Sequence, residues 1–421
     1  MIDPLRTALT GFDLPDDIVR LALAACETAI PAWNKRAAHS VALTAKTVRA
    51  FSDVGITDAH LQGTIGYGYH DFGREAYEAI LARLMDAEAA LARVQLTSGT
   101  QAIVASIAAL AGADGIICSL TGRPYDTLTL ALTGHPRALR PGGQRYVEVA
   151  WAPGASLDEK AMIAALVHGP AVVFIQRSRG YAPRPSASID EIARLVALAK
   201  RHSPKAVVVV DNCYGEFVES REPCAVGADV VVGSLIKNPG GGMAVTGAYV
   251  AGSRDAIERI AEHVFAPGLG SRIGPSLEAV RSMYAGLHRA PRTVSDSLRT
   301  MDFAAALFSK LGYEVDPQCG DERTDIIQAI RLGSRERLER FAHGLQRMLP
   351  VNSRARPEPG EVPGYADPVI MAGGAFITGS TLELSCDAPL REPFEVYLQG
   401  GMDFVHGIIA VTSAAAAVGA A

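Results

Sequence analysis

Seven short apolar runs, RVQLT, GIICSL, RYVEVAW, AVVFIQ, AVVVVD, DVVVGSLI and GAYVAG, follow one another between residues 93 and 252. Runs of this length, rich in Val and Ile and apolar at most positions, suit strands buried on both faces of a mostly parallel sheet. The stretches between them, such as LDEKAMIAALVH and SIDEIARLVALAKRH, carry apolar residues at helical spacing and supply the crossovers. The chain is therefore expected to be α/β, with a mostly parallel sheet in a large domain and helices on both faces of it.

The flanking regions read differently. Residues 10–55 are mostly helical in pattern, and LQGTIGYGYHDFG (61–73) is a Gly- and Tyr-rich loop leading into an amphipathic helix. A long helical connection is expected over 275–311. Beyond it, DIIQAIRL and TLELSC look like strands, while SRERLERFAHGLQRML and EPFEVYLQGGMDFVHGIIAVTSAA look like helices. These readings divide the chain into an N-terminal helical segment (1–60), a large domain (61–290) and a smaller C-terminal α+β domain (291–421).

Composition excludes several function classes. Forty Lys and Arg against forty-five Asp and Glu give a net charge of −5, which argues against a nucleic-acid or anionic-membrane binder driven by bulk charge. No apolar run reaches the ~18–20 residues of a membrane span, and the N-terminus has no signal-peptide core, so a cytoplasmic protein is expected. Cys26, Cys118, Cys213, Cys224, Cys319 and Cys386 form no C-x-x-C pair and no zinc spacing with the histidines. No metal site is expected, and buried free thiols are the simpler reading.

Only 7 of the 40 basic residues are lysines, and Lys237 stands apart from the others. It follows VVVGSLI and precedes NPGGG. An ammonium beside such a run costs several kcal/mol unless it is paired or chemically used. An amine that can lose its proton is what Schiff-base chemistry needs, and Arg cannot supply it.

Ligands of open α/β sheets bind at the C-terminal ends of the strands. RVQLT runs into Ser98-Gly99-Thr100 and the helix QAIVASIAALAG, a cradle for phosphate if it is not simply a Ser N-cap. AVVVVD ends in Asp211, which is either a partner for a cation or a loop cap. Ser234 lies three residues before Lys237. A phosphate cradle, a carboxylate for a pyridinium nitrogen and an isolated lysine on neighbouring strand ends are the requirements of pyridoxal 5′-phosphate.

The blocks QLTSGTQAI, TGRPYDTL, VVVVDNCYGEFVE and GADVVVGSLIKNPGGG resemble the pyridoxal-phosphate-dependent family of aluminium resistance proteins, also described as methionine gamma-lyase-like. GTIGYGYHDFGRE, IQRSRGY, APGLG and VYLQGG extend the likeness over residues 60–407. A more distant likeness runs to the cystathionine lyases and implies fold type I, the transferase-like fold of that cofactor class. The resemblance implies that Lys237 forms the internal aldimine and moves protons, and that Asp211 holds the pyridine nitrogen protonated. It implies that Ser98, Gly99, Thr100 and Ser234 bind the phosphate, and that Tyr125 stacks on the ring and protonates a leaving sulfur. Arg177 and Arg179 would meet the cofactor hydroxyl or a substrate carboxylate. Transsulfuration enzymes lend a Tyr-x-Arg pair to a neighbouring subunit's phosphate. The comparable region here departs from it and reads GYGYHDFGRE, with Tyr67, Tyr69 and Arg74 as the candidates, and a homotetramer built as a dimer of dimers is expected. Two further departures stand out: Ile236 replaces the Thr that transsulfuration enzymes carry before the lysine, and Arg391 lies several residues beyond their usual carboxylate-binding arginine.

The function so implied is a carbon–sulfur lyase performing β- or γ-elimination on cystathionine, cysteine or a methionine-like amino acid. Replacement at Cβ or Cγ by an incoming nucleophile is the alternative with the same first steps. Direct metal sequestration would need clustered carboxylates, and the acidic residues are dispersed.

Overall fold

The computed structural model describes residues 2–151, 157–419 and 421. The elements run in chain order from α1 (Ile2–Thr10) and α2 (Asp16–Val54) to α3 (Phe72–Leu84), β1 (Ala89–Arg93) and α4 (Gly99–Ala111). Then come β2 (Ile117–Ser119), α5 (Asp126–Thr129), β3 (Tyr146–Glu148), α6 (Glu159–Leu166), β4 (Val172–Gln176) and α7 (Ile189–His202). β5 (Val207–Asp211), β6 (Val230–Ser234), β7 (Ala248–Gly252), α8 (Arg254–Val264) and α9 (Val280–Lys310) follow. The last part holds β8 (Glu314–Asp316), β9 (Ile327–Arg331), α10 (Arg335–Gln346), β10 (Val369–Gly373), β11 (Ser385–Pro389), β12 (Glu395–Gln399) and α11 (Phe404–Val418). Among the described residues, no helix is long and apolar enough to cross a membrane.

The chain divides into two compact units, residues 45–288 and residues 1–44 with 289–421. The first unit carries a seven-stranded sheet of order β1-β7-β6-β5-β4-β2-β3 among the described residues. β7 is antiparallel to both of its neighbours and the other pairs are parallel, so six strands point one way. Every residue of β4, β6 and β7 is buried, as their unbroken apolar runs require. Ile103 and Ile107 of α4 and Ile257 and Ile260 of α8 pack with Leu91, Phe174, Val209, Val232 and Val250 in one core. The crossover helix α7 begins at a capping box, Ser188 with Glu191, and buries Ile189, Ile192, Leu195, Val196 and Ala199 along one stripe.

Two expectations in this unit shift. β1 is AALAR rather than RVQLT, so the strand ends at Arg93 and a turn, not the strand itself, leads into α4. β6 ends at Ser234, and Lys237 lies three residues beyond it in the turn. The glycines after Lys237 answer a packing need: a Cβ on Gly241 (φ +53°) would lie 2.2 Å from the carbonyl oxygen of Gly286 in α9. Only glycine permits that approach of two backbones.

The second unit carries a five-stranded antiparallel sheet, β10-β11-β12-β9-β8. α1 and residues 16–44 of α2 belong here, and the rest of α2 belongs to the first unit. Leu5, Leu9, Val19, Leu23 and Trp33 share a core with Phe303, Phe308, Phe341, Ile370 and Val396. A third correction concerns EPFEVYLQGG, read above as the start of a helix. Glu395–Gln399 is β12, paired on both sides by β11 and β9. Gly400 and Gly401 then turn the chain at φ +83° and +97°, and α11 begins only at Phe404. TLEL is likewise irregular, with β11 starting at Ser385.

Candidate active site

The parallel strands bring β4, β5 and β6 side by side, so Gln176, Asp211 and Ser234 close three adjacent strand ends. The N-terminus of α4 enters the same edge. Ser98 caps this helix, its Oγ accepting from Gln101 N at 3.1 Å, while Ala102 N bonds Ser98 O. The N–H groups of Gly99 and Thr100 lie outside both bonds, at the positive end of the helix dipole. A Cβ at Gly99 would stand 3.4 Å from both Cys213 Sγ and Ser234 Cβ. Gly99 thus lies against the residues that end β5 and β6, which brings the α4 N-terminus to the same edge.

Tyr125 is fixed from two sides. Its hydroxyl lies 2.8 Å from Thr100 Oγ1, and its N–H donates to Gln176 Oε1 at 2.9 Å. Burial, with Asp211 as a secondary cause, holds the phenol well above its ordinary value, so it keeps its proton. Asp211 is buried and accepts from Cys213 N at 3.1 Å. Burial pushes its carboxyl up, and Lys237 opposes that shift. Lys237 is half-buried, with Nζ 3.9 Å from the centre of the Tyr214 ring. Burial works against its ammonium, but Cys213, Tyr214, Asp211 and Tyr125 together outweigh it and hold the charge above the ordinary lysine range. Ser98, Gly99, Thr100, Tyr125, Asp211, Ser234 and Lys237 thus meet in one unit around one sheet edge.

Residues 18–419 match the methionine gamma-lyase family. The chain belongs to that family. The YnbB protein of Bacillus subtilis, described as uncharacterized, is 40% identical over 373 residues, covering 88% of this chain and 89% of that protein. The crystal structure of a carbon-sulfur lyase involved in aluminum resistance from Clostridium novyi NT is 34% identical. It covers 97% of this chain and 98% of its own, with a TM-score of 0.91. The pyridoxal-5′-phosphate-dependent protein YhfS of Escherichia coli, at 17% identity and TM-score 0.58 over 90% of this chain and 95% of its own, shows a shared fold.

Other expected site residues of this family member are placed elsewhere. Arg177 is fully buried, and its guanidinium is partnered by protein groups. Its guanidinium donates to Asn212 Oδ1 and Glu219 Oε2, each at 2.7 Å, and lies 3.6 Å from Glu222. Arg179 is buried, with Nε donating to Ala182 O at 3.3 Å within the loop after β4. Arg74 is buried and holds two loops together through Gly68 O at 2.9 Å and Gly274 O at 2.6 Å, with the Glu75 carboxylate 3.4 Å away. Tyr67 and Tyr69 are exposed, 75% and 51%, on the loop that Arg74 braces. Arg391 belongs to the other unit, where it lies 3.6 Å from Asp367. Among the described residues no group of three or more His, Cys, Asp or Glu could hold a metal ion.

Sequence reading missed the DNCYGE loop beyond Asp211. Tyr214 (φ +73°) and Phe217 (φ +61°) sit in left-handed backbone, a conformation that bulky residues reach at a cost and that clusters at functional sites. Glu216 is buried, accepts from Tyr249 Oη at 2.8 Å and leaves Oε2 without a partner; burial pushes its carboxyl up to about 8. The available signal was position alone: these residues follow directly on a strand end that carries a carboxylate.

Proposed function

We infer that the protein is a pyridoxal-phosphate-dependent carbon–sulfur lyase that eliminates a thiol from a sulfur-containing amino acid. The observation that carries this reading is the meeting of the α4 N-terminus, Asp211 and Lys237 at one sheet edge, with the Tyr125 hydroxyl anchored beside them on Thr100. The residues fit the cofactor: the donors gathered at the α4 N-terminus are hydroxyls and helix N–H groups suited to a phosphate. When bound, pyridoxal phosphate supplies an electron sink for an amino acid that has lost its α-proton. Ser98, Gly99, Thr100 and Ser234 are the residues to hold the phosphate. Asp211 offers the anionic partner for the pyridine nitrogen. The Lys237 amine, once free of its own proton, takes the α-proton. Tyr125 starts protonated and hands its proton to the departing sulfur, which makes a thiol a better leaving group than a thiolate.

Assembly as a homotetramer of two dimers belongs to the same proposal. Ile65, Tyr67 and Tyr69 on one braced loop, and Phe72 at the start of α3, expose 85%, 75%, 51% and 67% of their surface. A second copy of the chain is the partner that the resemblance names for this loop, and four chains by light scattering is the expected result.

The test of activity is a screen of cystathionine, cysteine and methionine for 2-oxo acid, ammonia and thiol release. At least one of them should yield all three products. Exchange of α-protons without thiol release would move the assignment to replacement chemistry.

A further inference from the structure

Four buried polar atoms belong to residues that line one small cavity. Arg74 Nε, Arg93 Nε and Gln95 Oε1 have no hydrogen-bond partner among the described residues, and the fourth, Ser276 Oγ, has only the Asp71 carboxylate beside it. The cavity measures about 10 Å³ and is walled by the start of α3, the end of β1 and the segment Gly274–Ser276. Unpaired polar groups in such a place cost about 1–3 kcal/mol each, so the three on one cavity call for an occupant.

The rest of each side chain is already fixed, which decides the chemistry of that occupant. Gln95 Nε2 donates to Pro275 O at 2.8 Å, so the amide cannot be flipped and Oε1 remains the atom in need of a donor. Ser276 N donates to Asp71 Oδ2 at 2.8 Å, and the Ser276 hydroxyl is among the groups that hold the Asp71 carboxyl down against its burial. With its proton turned to Asp71, Ser276 Oγ is also an acceptor. The two Arg Nε–H groups can only donate. Their charges are already answered: Arg93 pairs with Glu78, and Arg74 lies 3.4 Å from Glu75. A halide could accept from the arginines but could not donate to Gln95. An ammonium could donate but not accept. A water does both, and about 10 Å³ is the space that one water needs.

The geometry points to one integral water molecule in this cavity, accepting from Arg74 Nε and Arg93 Nε and donating to Gln95 Oε1 and Ser276 Oγ. All four of its hydrogen-bonding positions are used, the usual upper limit for a buried water. It joins three pieces of chain that meet nowhere else in this way. Arg74 already braces Gly68 and Gly274, and Gly274 N donates to Tyr67 O at 2.9 Å. Gln95 lies three residues before Ser98 in the segment leading to the phosphate cradle. The water therefore ties the loop that carries Tyr67 and Tyr69 to the lead-in of the α4 cradle. The inference rests on packing alone and does not depend on the proposed reaction.

Crystals of the full chain at atomic resolution, native and soaked in bromide, test it. The expected result is one oxygen within hydrogen-bond distance of the four atoms, with no anomalous bromide peak. An empty cavity or a bromide peak would overturn it. The bracing role has its own readout, amide hydrogen exchange in Ser276→Ala, which keeps the N–H bond to Asp71 and removes the hydroxyl shared by Asp71 and the water. Exchange at Gly274 and Leu277 should accelerate at least about tenfold; unchanged exchange would remove the brace.

Discussion

The two sheets handle charge in opposite ways. Where β4 and β5 end in the seven-stranded sheet, Arg177, Asn212 and Glu222 are buried together, and Asn212 Nδ2 donates to Glu222 Oε2 at 2.8 Å. In the five-stranded sheet, Arg331 of β9 bridges Glu314 of β8 and Glu395 of β12 on a face where it remains 41% exposed. The first arrangement fails if one partner is lost, because a charge is then stranded out of water. The second is screened by solvent and contributes little. Buried polar residues at the parallel strand ends therefore form a framework behind the candidate chemistry, whereas the charged ladder of the small sheet is a solvated face.

The largest break in that contrast is expected at the chemical end. Tyr125→Phe removes the hydroxyl held by Thr100 and should lower turnover by about 10²–10⁴-fold, the range for a general acid. Cofactor content, read from the absorbance spectrum, should stay near that of the parent. Full activity in this variant would make Tyr125 a packing residue.

Arg177→Leu separates the framework from the substrate. With Glu222 buried and Glu219 partly so, loss of the guanidinium should cost about 3–5 kcal/mol of stability in urea unfolding. A variant of normal stability with a raised KM would return Arg177 to substrate binding.

Glu216 sharpens the comparison through pH. Its folded value near 8 lies above the ordinary carboxylate range, so the native state holds a proton that the unfolded chain releases. Its contribution to stability is complete below the unfolded value and is lost as pH rises towards about 8, with a limiting slope of about 1.4 kcal/mol per pH unit. Glu216→Gln should flatten unfolding free energy against pH in that window; an unchanged slope would show that another group titrates there. The smallest effect belongs to the exposed ladder: Arg331→Ala should change stability by no more than about 1 kcal/mol, measured in the same urea titration.

The same contrast explains what could be read in advance. Strands buried on both faces announce themselves as apolar runs, and β4 to β7 lie within the runs AVVFIQ, AVVVVD, DVVVGSLI and GAYVAG. Antiparallel strands with one wetter face do not. GluValTyrLeuGln resembles part of a helix until its pairing with β9 and β11 is known. RVQLT misleads for a related reason: it is a turn in which Leu96 is fully covered and Val94 partly so. At the site, Lys237 and Asp211 stood out because charge beside an apolar run needs a use. The destination of Arg177 did not, because its carboxylate partners lie 42 and 45 positions away. The strained backbone at Tyr214 has no sequence signal at all.

The central claim is that Lys237 is the covalent seat of the cofactor. Reduction of the purified protein with borohydride, followed by peptide mass spectrometry, tests it most directly. The account predicts a yellow protein that bleaches on reduction, with the phosphopyridoxyl mass on the peptide containing Lys237 and on no other lysine. A colourless protein that takes up no pyridoxal phosphate, or a modified lysine elsewhere in the chain, would contradict it.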